Sequence, residues 1–315
     1  MSIADQNVHP AFQLNFNHQQ NKFTNQDTTI NMGIDAKIEL TPTKSLTYKD
    51  MIKKAIVEFC ITFVFTTAFC IFFYDPNPEK YAIYVSLLYG ALLFFAYYIC
   101  RNAFINPWFV FGTWILKQNN MLGFEEGVWY HNLEMFNTAF PAIAILIGQF
   151  LGACLGCLFT IPLVISYPIA PEFPTMDYWQ GFLGEAVGMF VIAIVFFSMT
   201  DLRRGVAKKK LVGNDIIYVK RIPKEFFIVI TVVRLVIAVA LVDVSKSVFH
   251  SGIAIVTNLV VFFYELIYNS TYDPIPLFNG FLYLAAQFVG VLIAMIVFYV
   301  FRFTEDEDTY EKKKQ

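Results

Sequence analysis

The residues of this chain that could do chemistry lie mostly in apolar surroundings. Glu58 and Glu185 sit inside long hydrophobic runs, where an ionisable side chain is costly and normally serves a site or a buried bond. As a pair they could act as general acid and base. No nucleophile or metal-ligating constellation accompanies them, so no catalytic residue is assigned and no enzymatic activity is expected. Cys154 and Cys157 form a CxxC, but one turn apart on an apolar helix, which reads as small packing residues. His9, His18, His131 and His250 are scattered and suggest no metal site; no cofactor is expected. Asn106-Pro107-Trp108 has the form of a helix start, with asparagine as cap and proline in the first turn. Arg234 stands near the middle of another apolar run, at an insertion penalty of at least about 2.5–3.5 kcal/mol. Asp243 falls on the opposite helical face, about 13.5 Å along the axis, and cannot pair with it directly. Either a carboxylate from another helix or subunit meets Arg234, or it snorkels or bonds local carbonyls.

The elements that hold these residues follow from hydrophobicity. The 315 residues are 57% hydrophobic and 15% charged, against about 45–50% and about 25% in soluble domains. The apolar residues fall into blocks of about twenty, the length of a bilayer-crossing helix. Six such spans read at 53–74, 81–100, 139–163, 179–200, 226–244 and 280–302. Two shorter stretches, from Asn106 to Leu116 and from Thr257 to Tyr268, are too short to cross and read as re-entrant half-helices. Paired interruptions in two halves point to an inverted repeat with a site at the midplane. Lys and Arg concentrate in 201–224 and beside both termini, and are absent from 161–178 and 265–279. The positive-inside rule therefore puts both termini and the 201–224 loop on the inner face. That loop reads as a topology determinant, and anionic lipid headgroups are its other reading. No basic excess of the kind that nucleic-acid binding requires is present.

The order of several short motifs resembles the aquaporin family (the major intrinsic proteins) over about 51–302. They are Val57-Glu58-Phe59-Cys60-Ile61-Thr62-Phe63, Asn106-Pro107-Trp108 as an altered first NPA box, Gln149-Phe150-Leu151-Gly152-Ala153, Gly184-Glu185-Ala186-Val187-Gly188, and Ser251-Gly252 ahead of the second box. The resemblance implies an all-α membrane protein of aquaporin-like fold, with six transmembrane helices and two re-entrant half-helices in an inverted repeat. Its parts would be a polar Asn/Gln-rich tail (1–50), a first repeat (51–163), an outer connection (164–178), a second repeat (179–302) and a charged tail (303–315). It also implies that Glu58 and Glu185 accept hydrogen bonds from the re-entrant loops.

Counting from Ser251-Gly252 places the second box at Val256-Thr257-Asn258, with Leu259 where the family has its filter arginine. Thr257 or Asn258 would cap that half-helix. The other filter-equivalent positions are Tyr89, Val244 and Ile253, a mainly apolar constriction of the kind that dewets. Trp108 puts an indole where the family has a methyl, and is expected to obstruct the midplane. Packing glycines survive at Gly148, Gly152 and Gly156, and small residues at Ala286, Gly290 and Ala294. The expectation is a scaffold without a working pore, an accessory subunit of a larger membrane complex. A respiratory assembly of the mitochondrial inner membrane is one candidate host. Segments 1–50, 117–137 and 201–224 would meet partner subunits on the inner face, and the resemblance also implies a homotetramer. The alternative is a divergent channel for water, glycerol or another small neutral solute.

Overall fold

The computed structural model describes residues 48–73, 77–100, 103–116, 139–164, 170–172, 178–200, 206–212, 215–221, 225–269 and 272–312. The described residues between Tyr48 and Lys208 and from Val219 onward belong to one compact unit, and Lys209–Tyr218 falls outside it. The compact unit carries the helices: α1 Tyr48–Phe73, α2 Pro78–Cys100, α3 Pro107–Ile115, α4 Phe140–Val164, α5 Tyr178–Thr200, α6 Phe226–Ser245, α7 Ser251–Tyr264 and α8 Ile275–Lys312. A single π-helical turn, Glu265–Asn269, extends α7. Strands β1 Val206–Val212 and β2 Asp215–Arg221 pair as a two-stranded ribbon between α5 and α6 in the chain.

The helices are apolar nearly all round, which marks burial or lipid as their surroundings. Large apolar side chains such as Ile56, Leu151, Val187, Val236 and Ile296 point outward from the bundle. Among the described residues, seven helical stretches are long and apolar enough to cross a bilayer, including Ser251–Tyr268 and Ile275–Phe301. The chain is an integral, multi-pass membrane protein.

Two boundaries differ from the sequence reading. The stretch expected to begin near Thr257 starts six residues earlier, at Ser251, and with its π turn reaches the length of a span. His250 supplies an N-cap there that the usual Ser/Thr/Asp/Asn preference does not flag. The last helix continues to Lys312, through most of what reads as a charged tail, where Glu305, Glu307, Glu311 and Lys312 are good helix formers. The basic 201–224 connection holds the β ribbon. The 1–50 tail, apart from the start of α1 at Tyr48, and the 117–137 segment lie outside the described residues.

The most extensive pairings are α1 with α4 and α5 with α8. Glycine makes both possible. A Cβ on Gly148, Gly152 or Gly156 of α4 would stand 2.3, 2.4 or 2.7 Å from the carbonyl oxygens of Ala55, Phe59 and Phe63 on α1. One on Gly290 of α8 would stand 2.2 Å from Ala186 O of α5. Backbones touch here, so no side chain can yield. Gly152→Val is expected to lower stability by about 1–3 kcal/mol or more, read as thermal unfolding of the purified protein in detergent. Leu151→Ala, one residue away on the outward face, should change it by less than about 0.5 kcal/mol.

Candidate functional site: two buried helix caps

Helices α3 and α7 meet N-terminus to N-terminus in the interior, and each cap reaches across to the other. Asn106 caps α3, its Oδ1 accepting from Trp108 N at 3.0 Å. Its amide Nδ2 donates to Phe249 O, the residue before the other cap, at 2.8 Å. His250 caps α7, its Nδ1 accepting from Ile253 N at 3.2 Å. Because Nδ1 accepts, the ring hydrogen is on Nε2, which donates to Ile105 O, the residue before Asn106. The bonds are reciprocal.

Each cap is preceded by a left-handed residue, Ile105 at φ 59° and Phe249 at φ 44°. Such backbone costs a bulky or β-branched residue about 1–3 kcal/mol and persists only where the surroundings dictate it. A buried carboxylate does so in each half. Glu58 accepts from Phe104 N at 2.8 Å and Ile105 N at 3.1 Å, and from Gln149 Nε2 at 2.9 Å. Glu185 accepts from Phe249 N and, at 2.7 Å, from Gln287 Nε2. The loop-supporting carboxylates are thus in contact with the segments expected of them. Their glutamine partners come from the helices that pack on α1 and α5 through glycine.

Each clamp also holds a cation. Lys54, one turn before Glu58, is buried with its ammonium 4.0 Å from Glu58 Oε1 and 5.3 Å from the Phe104 ring. In the other half the cation is Arg234 of α6, only 1% exposed. It donates to Val248 O at 3.1 Å and Phe249 O at 3.4 Å. Its guanidinium lies 4.7 Å from the Tyr89 ring, 5.7 Å from Phe249 and 5.9 Å from Phe65. Arg234 makes no direct ion pair among the described residues. Instead Glu185 and Arg234 grip one residue, Phe249, by its N–H and its C=O. Neither sequence reading of Arg234 holds as made: it meets no carboxylate directly among the described residues, and the carbonyls it bonds are not local but belong to the segment before α7.

Other positions move. Val256, Thr257 and Asn258 are not a helix start but lie in the second turn of α7 and beyond. Thr257 Oγ1 bonds Ile253 O at 2.7 Å, and Asn258 Nδ2 bonds Ala254 O at 2.8 Å and Pro171 O at 3.3 Å. Neither caps the helix, because His250 already does. Of the filter-equivalent positions, Tyr89 faces Arg234 and Ile253 gives its N–H to His250. Val244 packs beside Gly184 of α5, and Leu259 is half-buried about two turns into α7. Trp108 does not fill the centre: its ring packs on Phe111 and on Phe288 of α8, at 5.8 and 5.1 Å. The second position of α3 turns its side chain toward α8 and away from the junction of the caps. What stands beside that junction is Phe65, Tyr89, Arg234 and His250, each at most 1% exposed, with Phe65 5.6 Å from Tyr89 and 5.5 Å from His250.

Sequence reasoning missed His250, Lys54 and Gln287 as members of the site. The available signal was the repetition itself: each apolar run with a glutamate has a glutamine-bearing partner helix. No protein-family model matches the chain, and no curated protein matches it.

The bridge through Phe249 has a measurable consequence. Arg234→Met alone should cost about 3–5 kcal/mol, since it leaves Glu185 buried without its cation. Adding Glu185→Gln should return part of that loss, with a coupling of about 0.5–3 kcal/mol in a double-mutant cycle of unfolding free energies. Strict additivity would mean that the two groups do not communicate.

Proposed function

We propose that the chain is an aquaporin-fold membrane protein with a closed centre, used as a structural or accessory subunit of a larger membrane assembly. The observation that carries this reading is the placement of Arg234. An arginine bonded to two carbonyls and enclosed by three aromatic rings stands beside the junction of the two caps, where a path between two half-helices would run. The reciprocal caps, the matched carboxylates and the paired glycine contacts support the inverted-repeat fold, with α3 and α7 as its re-entrant elements. On this reading both termini and the β ribbon face the inner side, and 1–50, 117–137 and 201–224 contact partner subunits there. A homotetramer is the alternative assembly, and the mitochondrial inner membrane is one candidate location.

A second reading, a divergent channel for water, glycerol or another small neutral solute, is favoured by one observation. The buried hydroxyls of Thr62, Thr66, Ser86 and Tyr89 have no hydrogen-bond partner among the described residues. Buried polar groups of that kind commonly hold ordered water.

Osmotic shrinkage of proteoliposomes separates the two. Wild-type protein, shown to be folded and inserted, is expected to match empty vesicles. Arg234→Ala combined with Glu185→Gln, which removes the side chain without stranding a charge, should raise permeability several-fold, and Trp108→Ala should not. Wild-type permeability well above the empty control would sink the structural reading and establish a channel. Recovery of a single small protein, free of partners, under mild solubilisation would count against the accessory role.

A further inference from the structure

A groove on the outward surface of the α1–α4 pair combines apolar walls with a basic edge. It is lined by Tyr48, Met51, Ile52, Ala55, Ile56 and Phe59 of α1 together with α4 residues from Phe140 to Leu151, and it encloses about 320 Å³. Gly148 makes it narrow and deep, because the backbones of the two helices are in contact at Ala55. The eleven residues from Tyr48 to Phe59 cover about 16 Å of helix axis, close to half of a roughly 30 Å hydrocarbon core. That is the depth of one leaflet. At the end where α1 begins, Tyr48 and Phe140 meet edge to face at 5.6 Å, an aromatic pair of the type found at membrane–water interfaces.

Charge is arranged around that same end. Lys49 and Lys53 are exposed and one turn apart; helical geometry puts Lys49 at the Ile56 edge of the groove-lining face and Lys53 further round the helix on the same side. Neither makes an ion pair among the described residues. Lys54 is directed inward to Glu58 and is not available to a ligand. Asp50 falls on the opposite side of the helix from the groove.

We propose that the α1–α4 groove is a binding site for one anionic phospholipid, its acyl chain along Tyr48–Phe59 and its phosphate against Lys49 and Lys53. The groove alone would accept the chain of any lipid. The two lysines select among headgroups, because a zwitterionic lipid carries its own cation and gains little from them. Nothing in this assignment depends on whether the centre of the protein conducts.

The test is native mass spectrometry of the delipidated full-length protein in detergent, titrated separately with dioleoylphosphatidylglycerol and dioleoylphosphatidylcholine. The wild type should retain one phosphatidylglycerol more tightly than phosphatidylcholine. Lys49→Gln with Lys53→Gln should weaken phosphatidylglycerol about tenfold or more, as expected for two juxtamembrane cations, and leave phosphatidylcholine unchanged. Ala144→Phe, which fills the groove, should weaken both lipids. Lys80→Gln, at the start of α2, should weaken neither, and soluble glycerol phosphate should not compete, since the acyl chain is part of the ligand. Equal retention of the two lipids by the wild type would overturn the proposal. So would undiminished phosphatidylglycerol binding in the double-lysine variant, whose exposed substitutions leave the fold intact.

Discussion

Two full carboxylates are buried inside this helix bundle, and the rest of its interior is arranged to keep them there. Moving an ionised group of that size out of water still costs several kcal/mol per ion after relaxation. Glu58 and Glu185 are both 0% exposed. Glu58 accepts two backbone N–H groups of its left-handed loop and Glu185 accepts one; each adds an amide from a glutamine on the neighbouring helix and a cation nearby. The loops gain in return, because Ile105 and Phe249 would not hold positive φ unless something fixed their N–H direction. Carboxylate and loop therefore stabilise one another, and losing either member removes the reason for the other. The glycine contacts belong to the same system. Gln149 and Gln287 reach the carboxylates because α4 lies against α1 and α8 against α5 at backbone distance.

The two halves reach charge balance differently, and the difference bears on function. Lys54 is on the same helix as Glu58 and meets it directly, so the first clamp closes at the edge of the interior. The position one turn before Glu185 is Gly181, which can supply no cation. The second clamp draws Arg234 from α6, which packs against α5, and the guanidinium comes to rest among Phe65, Tyr89 and Phe249. On the proposed reading, bringing that cation from a neighbouring helix is also what closes the centre, because the guanidinium stands beside the junction of the caps.

The parts legible in the sequence were those encoded by short, repeated patterns. Hydropathy located six of the long apolar helices, small-residue spacing marked α4 and α8 as helices that a neighbour approaches closely, and the family resemblance linked the intramembrane glutamates to the loops. The second cap was not legible, because register was counted forward from Ser251-Gly252 to a box that this chain does not use. A histidine cap lies outside the common preferences, and only the ring's second nitrogen, bonded to Ile105 O, shows that it stands opposite Asn106. Trp108 misled for a related reason. A residue type says how much space is filled, but the rotation of α3 decides which space, and Asn106 fixes that helix's start by bonding Phe249 O across the junction. Arg234 could be flagged as anomalous but not placed, since its partners are carbonyls some fifteen positions further along the chain.

The caps themselves argue for closure from a different side. A solute passing two converging helix N-termini needs donors that are free to greet it, because bulk water must be replaced bond for bond. At this junction the donors are turned inward. Asn106 spends an amide hydrogen on Phe249 O, and both nitrogens of His250 are engaged, one accepting from Ile253 and one donating to Ile105. Asparagine at the second cap would leave a donor hydrogen over; histidine with this tautomer leaves none. The histidine that makes the cap unusual is therefore also the residue that ties the two loops together, so that the two helix ends hold each other.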